Sequence, residues 1–204
     1  MGIIMGILVE AKAHYDKKKH RSIGYCQMNQ YAFLDIGFDK GVPIGRVIIE
    51  LDKKFGNSLS TIFLKLANSE YKNIAMNRTI GYTGSPFHYI SSTTKVIMGG
   101  DMLFDNGCGG FAPCREGFWR EDQPTAGNKK IKGSVVMLPS DLHANLFTSI
   151  FYIQVEGDQT TLTDGIVVGH VIQGLDILED VIQDYGTQNG IPKKRVIIQR
   201  SGHL

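Results

Sequence analysis

Between Phe87 and Gly110 the chain gathers residue types from which the wall of a binding groove can be built. Phe87-His88-Tyr89-Ile90 is followed by a polar run from Ser91 to Thr94. An apolar stretch, Lys95-Val96-Ile97-Met98, then leads through Gly99-Gly100-Asp101 to Asn106-Gly107-Cys108-Gly109-Gly110. Glycines this close together mark backbone that turns sharply, or approaches a surface where a side chain would obstruct it. One chemistry for such a loop is a phosphate cradle, which requires a preceding strand, G-x-G-x-x-G spacing and a following helix. Phe111-Ala112-Pro113 follows Gly110 and does not open a helix. Other constellations are sparse: the histidines are scattered, and no nucleophile, histidine and acid fall into a triad-like arrangement. Cys26, Cys108 and Cys114 are odd in number and fit no common zinc spacing, so free thiols in a reducing compartment are expected.

Phe87-His88, Gly99-Gly100-Asp101 and Asn106-Gly107-Cys108-Gly109-Gly110 match in kind and order a pattern of the cyclophilin family of peptidyl-prolyl cis-trans isomerases. The resemblance extends from about residue 31 to the C-terminus and includes Phe33-Leu34-Asp35-Ile36, Gly45-Arg46-Val47 and the ending Ser201-Gly202-His203-Leu204. A looser similarity is to cyclophilins of large DNA viruses, in which case a virion location joins the cytoplasm as an expectation. The resemblance implies a mainly β fold: a closed, antiparallel, eight-stranded barrel capped by two α-helices. It implies no cofactor, and no metal site.

The same resemblance implies a groove that acts on X-Pro peptide bonds. The barrier to their rotation, roughly 20 kcal/mol, comes from amide resonance, so a catalyst need only stabilise the twisted C–N bond. In cyclophilins an arginine hydrogen-bonds near the prolyl nitrogen while an apolar pocket grips the ring; such a donor helps because it acts more strongly on the transition state. Here Tyr89 stands at the arginine position and keeps a donor, but without a guanidinium's charge and forked geometry. The pocket-floor aromatic is replaced by Lys95 counting back from Gly99, or by Thr94 counting forward from Phe87. Val96 stands for a methionine, Met98 for a glutamine that orients substrate backbone, and Tyr152 for a phenylalanine. Beside Leu138, Pro139 takes the place of an asparagine that pairs with substrate, and proline has no N–H to offer. Leu162 and Thr163 fall where a tryptophan and a leucine often stand, and the histidine expected before Ile166 has no counterpart. These departures predict a degenerate isomerase site with little or no activity, in a protein acting as an interaction or structural module. A weak prolyl isomerase assisting protein folding is the alternative. Poor binding of cyclosporin is expected from the loss of aromatic surface at Lys95 and Leu162.

The elements that must position these residues can be read from period and punctuation. At 204 residues, 42% hydrophobic and 21% charged, the chain is long enough for one sizeable core. Tyr31 to Phe38, turn residues at Asp39-Lys40-Gly41 and Gly45 to Leu51 read as a β-hairpin. Leu59, Ile62, Phe63 and Leu66 recur at helical spacing behind an N-cap at Asn57 or Ser58, which predicts a helix over about 58–67. Asn68 to Ile80 reads as a surface-loop insertion. Val135–Leu138, Ser149–Val155, Ile166–Val171 and Arg195–Gln199 read as strands, and Leu175 to Tyr185 as a second helix closed by Gly186.

Residues 1–30 read as an extension ahead of a domain over 31–204. Lys12, Lys17, Lys18, Lys19 and Arg21 against Glu10 and Asp16 make its net charge +3, and the chain total of +2 leaves −1 for the remainder. A sequence pI near 8.4 is too mild to imply nucleic acid. The opening Met1-Gly2-Ile3-Ile4-Met5-Gly6-Ile7-Leu8-Val9 is too short for a membrane span, and lysines follow it instead of preceding it as a signal peptide requires. The partners expected are therefore a protein or proline-containing peptide in the groove, and a neighbouring copy of the chain through the extension.

Overall fold

A computed structural model describes residues 30–52, 58–73, 77–114, 117–121, 129–157 and 165–204. The expected extension over 1–30 thus lies outside the described residues except for Gln30, as do Leu162, Thr163, Asn57 and Cys26.

The first hairpin forms as the alternation requires. In β1 (Tyr31–Gly37) and β2 (Gly45–Leu51) Ala32, Leu34, Val47 and Ile49 turn inward, and the register pairs Ala32 with Ile49 and Leu34 with Val47. Nine further strands follow: β3 (Tyr71–Asn73), β4 (Arg78–Ile80), β5 (Tyr89–Ser91), β6 (Val96–Gly99), β7 (Trp119–Arg120), β8 (Ser134–Ser140), β9 (His143–Gln154), β10 (Ile166–Gln173) and β11 (Ile197–His203). Eight of the eleven strands lie in the order β11-β1-β2-β10-β8-β9-β6-β5, every neighbouring pair antiparallel, with β7 added to the outer part of β9.

The barrel is curled but open, which corrects the expected closed sheet. Its end strands β5 and β11 share no ladder. Instead the irregular segment before β5 crosses the gap: Gly84 N–H donates to Ile198 O (2.7 Å), Ile198 N–H to Ser85 O (2.9 Å) and Phe87 N–H to Val196 O (2.9 Å). Gly84 has φ +86 and bends the chain onto β11 from outside regular strand geometry. The backbone groups at the seam are satisfied without a strand.

Two helices cover the barrel. α1 (Ser58–Ala67) buries Leu59, Ile62, Phe63 and Leu66 against β1, β10 and β11, and α2 (Leu175–Tyr185) buries Leu178, Val181 and Ile182 against β2, β5 and β6. Gly186 closes α2 by donating to Ile182 O, but in an extended conformation (φ −74°, ψ 153°), not the left-handed one a glycine cap usually takes. The stretch after α1 is not a plain loop: β3 and β4 form a small separate hairpin, whose Tyr71 ring lies 5.9 Å from that of Phe111. The main core is filled by Phe63, Tyr82, Phe87 and Phe151, whose rings meet edge-on or tilted at 4.9–6.5 Å. A second, smaller cluster lies on the other face of the sheet: Val96, Val136, Tyr152 and Val167, with Met98 and Leu138 packed on it. No helix among the described residues is long and apolar enough to cross a membrane.

Candidate functional site

The glycine-rich stretch is organised by one carboxylate. Asp101, with no exposed surface, accepts N–H groups from Leu103, Phe104, Asn106, Gly107 and Gly109 at 2.7–3.1 Å. Burial alone would raise its pKa, but the N–H groups of Phe104, Leu103, Gly109 and Asn106 outweigh it and hold the carboxyl at about 2. A Cβ on Gly109 would come within 2.1 Å of Asp101 Oδ1, and one on Gly100, at φ +90, within 2.1 Å of Ser149 O. These glycines therefore wrap backbone around Asp101 and seat it on β9. They are not an anion cradle, because the N–H groups already face a carboxylate. His88, one residue before β5, packs under Gly107; burial lowers its pKa while Asp101 and Asp105 oppose the shift.

The neighbouring strands bring several positions that the resemblance assigns to the groove into one row. Register pairs Tyr89 with Met98, Met98 with Tyr152, Tyr152 with Val136 and Val136 with Val167. Side chains directly opposite one another in a ladder share a face, so Tyr89, Met98, Tyr152, Val136 and Val167 form a transverse stripe across five strands, with Val96 two residues along β6 on the same face. Leu138 lies on the rim of this stripe beside Pro139, and both line an open cleft of about 500 Å³ with His143 and Phe147 at the turn end of the β8–β9 hairpin.

A scan of family models matches residues 33–203 to the cyclophilin-type peptidyl-prolyl cis-trans isomerase family. The chain belongs to the cyclophilin family. Curated relatives include two peptidyl-prolyl cis-trans isomerases of Arabidopsis thaliana: CYP21-1, 29% identical over 87% of this chain and 77% of its own length, and CYP26-1, 27% identical over 86% and 71%. The positions that the sequence resemblance assigned to the groove differ from one another in fate. Tyr152 and Val96 are wholly buried within the outer cluster, while Met98 and Leu138 are half-buried over it. Lys95 does not form a floor. It holds a left-handed backbone (φ +55) in the turn before β6 and directs its ammonium to Glu156, 3.6 Å away. Thr94, the other counted position, lies in the same turn with its hydroxyl buried. Pro139 sits within β8 opposite Phe147, where the ladder register shifts, as a residue without an N–H requires.

Tyr89 is held by a residue a hundred positions away. Ile90 N–H donates to Gly190 O (2.8 Å) and Thr187 N–H to Ile90 O (3.1 Å), so the loop after α2 runs beside β5. The Tyr89 ring rests on Gly190, where a Cβ would fall 1.9 Å from Cε2. Sequence reasoning missed this contact, and nothing local signals it. It also missed Gln154, which was legible: the Ser149–Val155 alternation places Gln154 on the same face as Tyr152. Trp119 packs against the main core, its Nε1–H donating to Ser58 Oγ at 2.9 Å while Ser58 donates in turn to Glu121. Cys108 and Cys114 are free thiols.

Proposed function

We propose that this cyclophilin gives little acceleration of X-Pro exchange and uses its groove face to contact other proteins. The observation that carries this reading is the composition of the transverse stripe: Tyr89, Met98, Tyr152, Val136 and Val167 are all uncharged. Arg46 and Arg200 are committed to Asp35, Arg195 to Asp39 and Asp105, and Lys95 to Glu156. Rotation about the prolyl bond concentrates lone-pair density on nitrogen, and a phenol lying on Gly190 offers that nitrogen neither charge nor two parallel donors. The apolar stripe with half-buried Met98 and Leu138 retains the chemistry of a weak, adaptable contact surface.

The test is exchange spectroscopy on an Ala-Pro peptide with the full chain and with Tyr89→Arg/Met98→Gln. The unmodified chain is expected to catalyse negligibly, and the double variant to gain roughly 10- to 100-fold if a positioned donor is what is missing. Turnover by the unmodified chain comparable to an active cyclophilin would sink the proposal and favour the isomerase alternative. Cyclosporin is expected to show only weak heat in titration calorimetry for the same reason.

The proposal extends to the basic, apolar-fronted residues 1–30, for which a neighbouring copy of this chain is the proposed partner, in a reducing compartment that leaves Cys108 and Cys114 as thiols.

A further inference from the structure

Two Asn-Gly steps occur in the chain, Asn106-Gly107 and Asn189-Gly190, and both asparagines are exposed. At such a step the backbone nitrogen of the glycine can attack the side-chain amide before it, because glycine has no Cβ to obstruct the approach. The N–H gives up its proton and the nitrogen bonds to the asparagine Cγ. The Cγ–Nδ2 bond then breaks, and Nδ2 leaves as ammonia with that proton. Water opens the resulting five-membered imide at one carbonyl or the other, giving aspartate, or isoaspartate with one more atom in the backbone. The first requirement is therefore a glycine N–H that can be released.

Asn106 is open to solvent and Gly107 only half-buried, yet the N–H of Gly107 is not free: it donates to Asp101 Oδ2 at 2.7 Å. Asp101 is buried and ionised at neutral pH, so this bond is charge-assisted, and deprotonating Gly107 would set a second negative charge against the carboxylate. The side chain of Asn106 is held as well, its Oδ1 accepting from Cys108 N–H at 2.9 Å. Across the loop, the His88 ring closes within 3.0 Å of the place a Gly107 Cβ would take. Asn189 has no such carboxylate: Gly190 N–H donates to Thr187 O at 3.3 Å, and Gly190 is instead buried under the Tyr89 ring.

We infer that Asn106 is a latent deamidation site of this protein, kept silent by Asp101 and released when the glycine-rich loop opens. An isoaspartate formed there is then locked out of the fold. Asn106 N–H (2.9 Å) and Gly107 N–H share Asp101 Oδ2, and isoaspartate inserts a backbone atom between these two donors. The cradle no longer fits both. Asp101 thus protects the covalent chemistry of the motif as well as its shape.

The experiment follows both Asn-Gly steps in the full chain at mildly alkaline pH by peptide mapping, with fragment ions to place each deamidation and to tell isoaspartate from aspartate. In urea Asn106 and Asn189 are expected to react at similar rates. In the folded protein Asn106 is expected to slow by about 10- to 100-fold, as one charge-assisted hydrogen bond implies. Asp101→Asn in native buffer should recover most of that factor at Asn106 and leave Asn189 slow, because only the local donor has been freed. Hydrogen exchange at the Gly107 amide of the parent gives a second measure should that variant fail to fold: from native buffer to denaturing urea, the Asn106 rate is expected to rise in proportion to the exchange rate. Deamidation of Asn106 in the folded parent as fast as in urea overturns the inference. So does an Asn106 rate untouched by Asp101→Asn in a folded variant, or one that does not track Gly107 exchange. Chains isolated with isoaspartate at 106 are expected to melt below chains carrying Asn106→Asp, and equal melting overturns the exclusion of isoaspartate from the fold.

Discussion

Asp101 shows how a single side chain can carry a motif. Its carboxylate replaces, for a run of glycine-rich backbone, the hydrogen bonds that a strand or helix would otherwise supply, so the loop keeps its shape with few side chains of its own. Because its folded pKa of about 2 lies below the ordinary carboxylate value of 3.8, Asp101 stabilises the fold once it is ionised above about pH 4. That contribution, roughly 2 kcal/mol by linkage, is lost as pH falls toward 2. Asp35, held down mainly by the hydrogen bond from Arg46, acts in the same direction, so a bare acid titration would not separate the two. Asp101→Asn does separate them. Urea unfolding of the variant and parent is expected to show a gap of about 2 kcal/mol at pH 6 that narrows steadily by pH 2. A gap independent of pH would mean that the loop needs the shape of the side chain and not its charge.

Among the elements, β5 depends most on what lies beside it. It is only three residues long and packs between β6 and the loop that follows α2, with Ser91 bridging to Thr187. Gly190 makes this docking work: φ +82 is a left-handed conformation, and the Tyr89 ring occupies the space a Cβ would take. Gly190→Ala is therefore expected to cost about 2–3 kcal/mol, from backbone strain and from displacement of the ring. In a Tyr89→Ala background the same substitution should cost only the strain, about 1 kcal/mol. A double-mutant cycle by thermal or chemical denaturation measures the difference, and equal costs in both backgrounds would show that the ring contact has no energetic weight. The same packing bears on function: the Tyr89 phenol is pinned by α2's following loop, so restoring an arginine at this position also changes how β5 is held.

At the scale of the whole molecule, the open seam between β5 and β11 and the point where the extension meets the domain are separate features. The seam is closed by the hydrogen bonds of Gly84, Phe87 and Ile198, so it offers no unpaired strand edge to a second copy there. Gln30 O accepts from Leu51 N–H (2.9 Å) and Tyr31 O from Leu204 N–H (3.0 Å), so the domain keeps its first hydrogen bonds when the chain begins at Asn29. Truncation there is accordingly a clean test of the proposed self-association through residues 1–30. The opening apolar residues, if buried on a neighbour, contribute on the order of several kcal/mol at ~25 cal/mol per Å², before ordering costs. Light scattering at micromolar concentration is expected to give a small oligomer for the full chain and a monomer for the truncated one; a monomeric full chain, or an oligomer that survives truncation, removes this role.

What residue type alone determined is the local part of the structure. Alternation in β1 and β2, the helical spacing of Leu59, Ile62, Phe63 and Leu66, and the order of Gly99-Gly100-Asp101 and Asn106 to Gly110 are statements about neighbours in the chain. Backbone sterics and burial of one face enforce them wherever the chain lies. The family was legible for the same reason. The tertiary structure decided everything that depends on register between distant strands. It decided that Met98, Tyr152 and Val136 meet in one stripe, that Lys95 turns to Glu156, that Tyr89 lies on Gly190, and that Gln154 is buried with an oxygen unpaired. A slip of one residue along β9 would send Tyr152 and Gln154 to the opposite face, and no pattern within β9 reveals which strand lies beside it. The seam is open for a similar reason: β11 meets the segment of Gly84 to Phe87 ahead of β5, and the edge of β5 itself is met by the loop after α2.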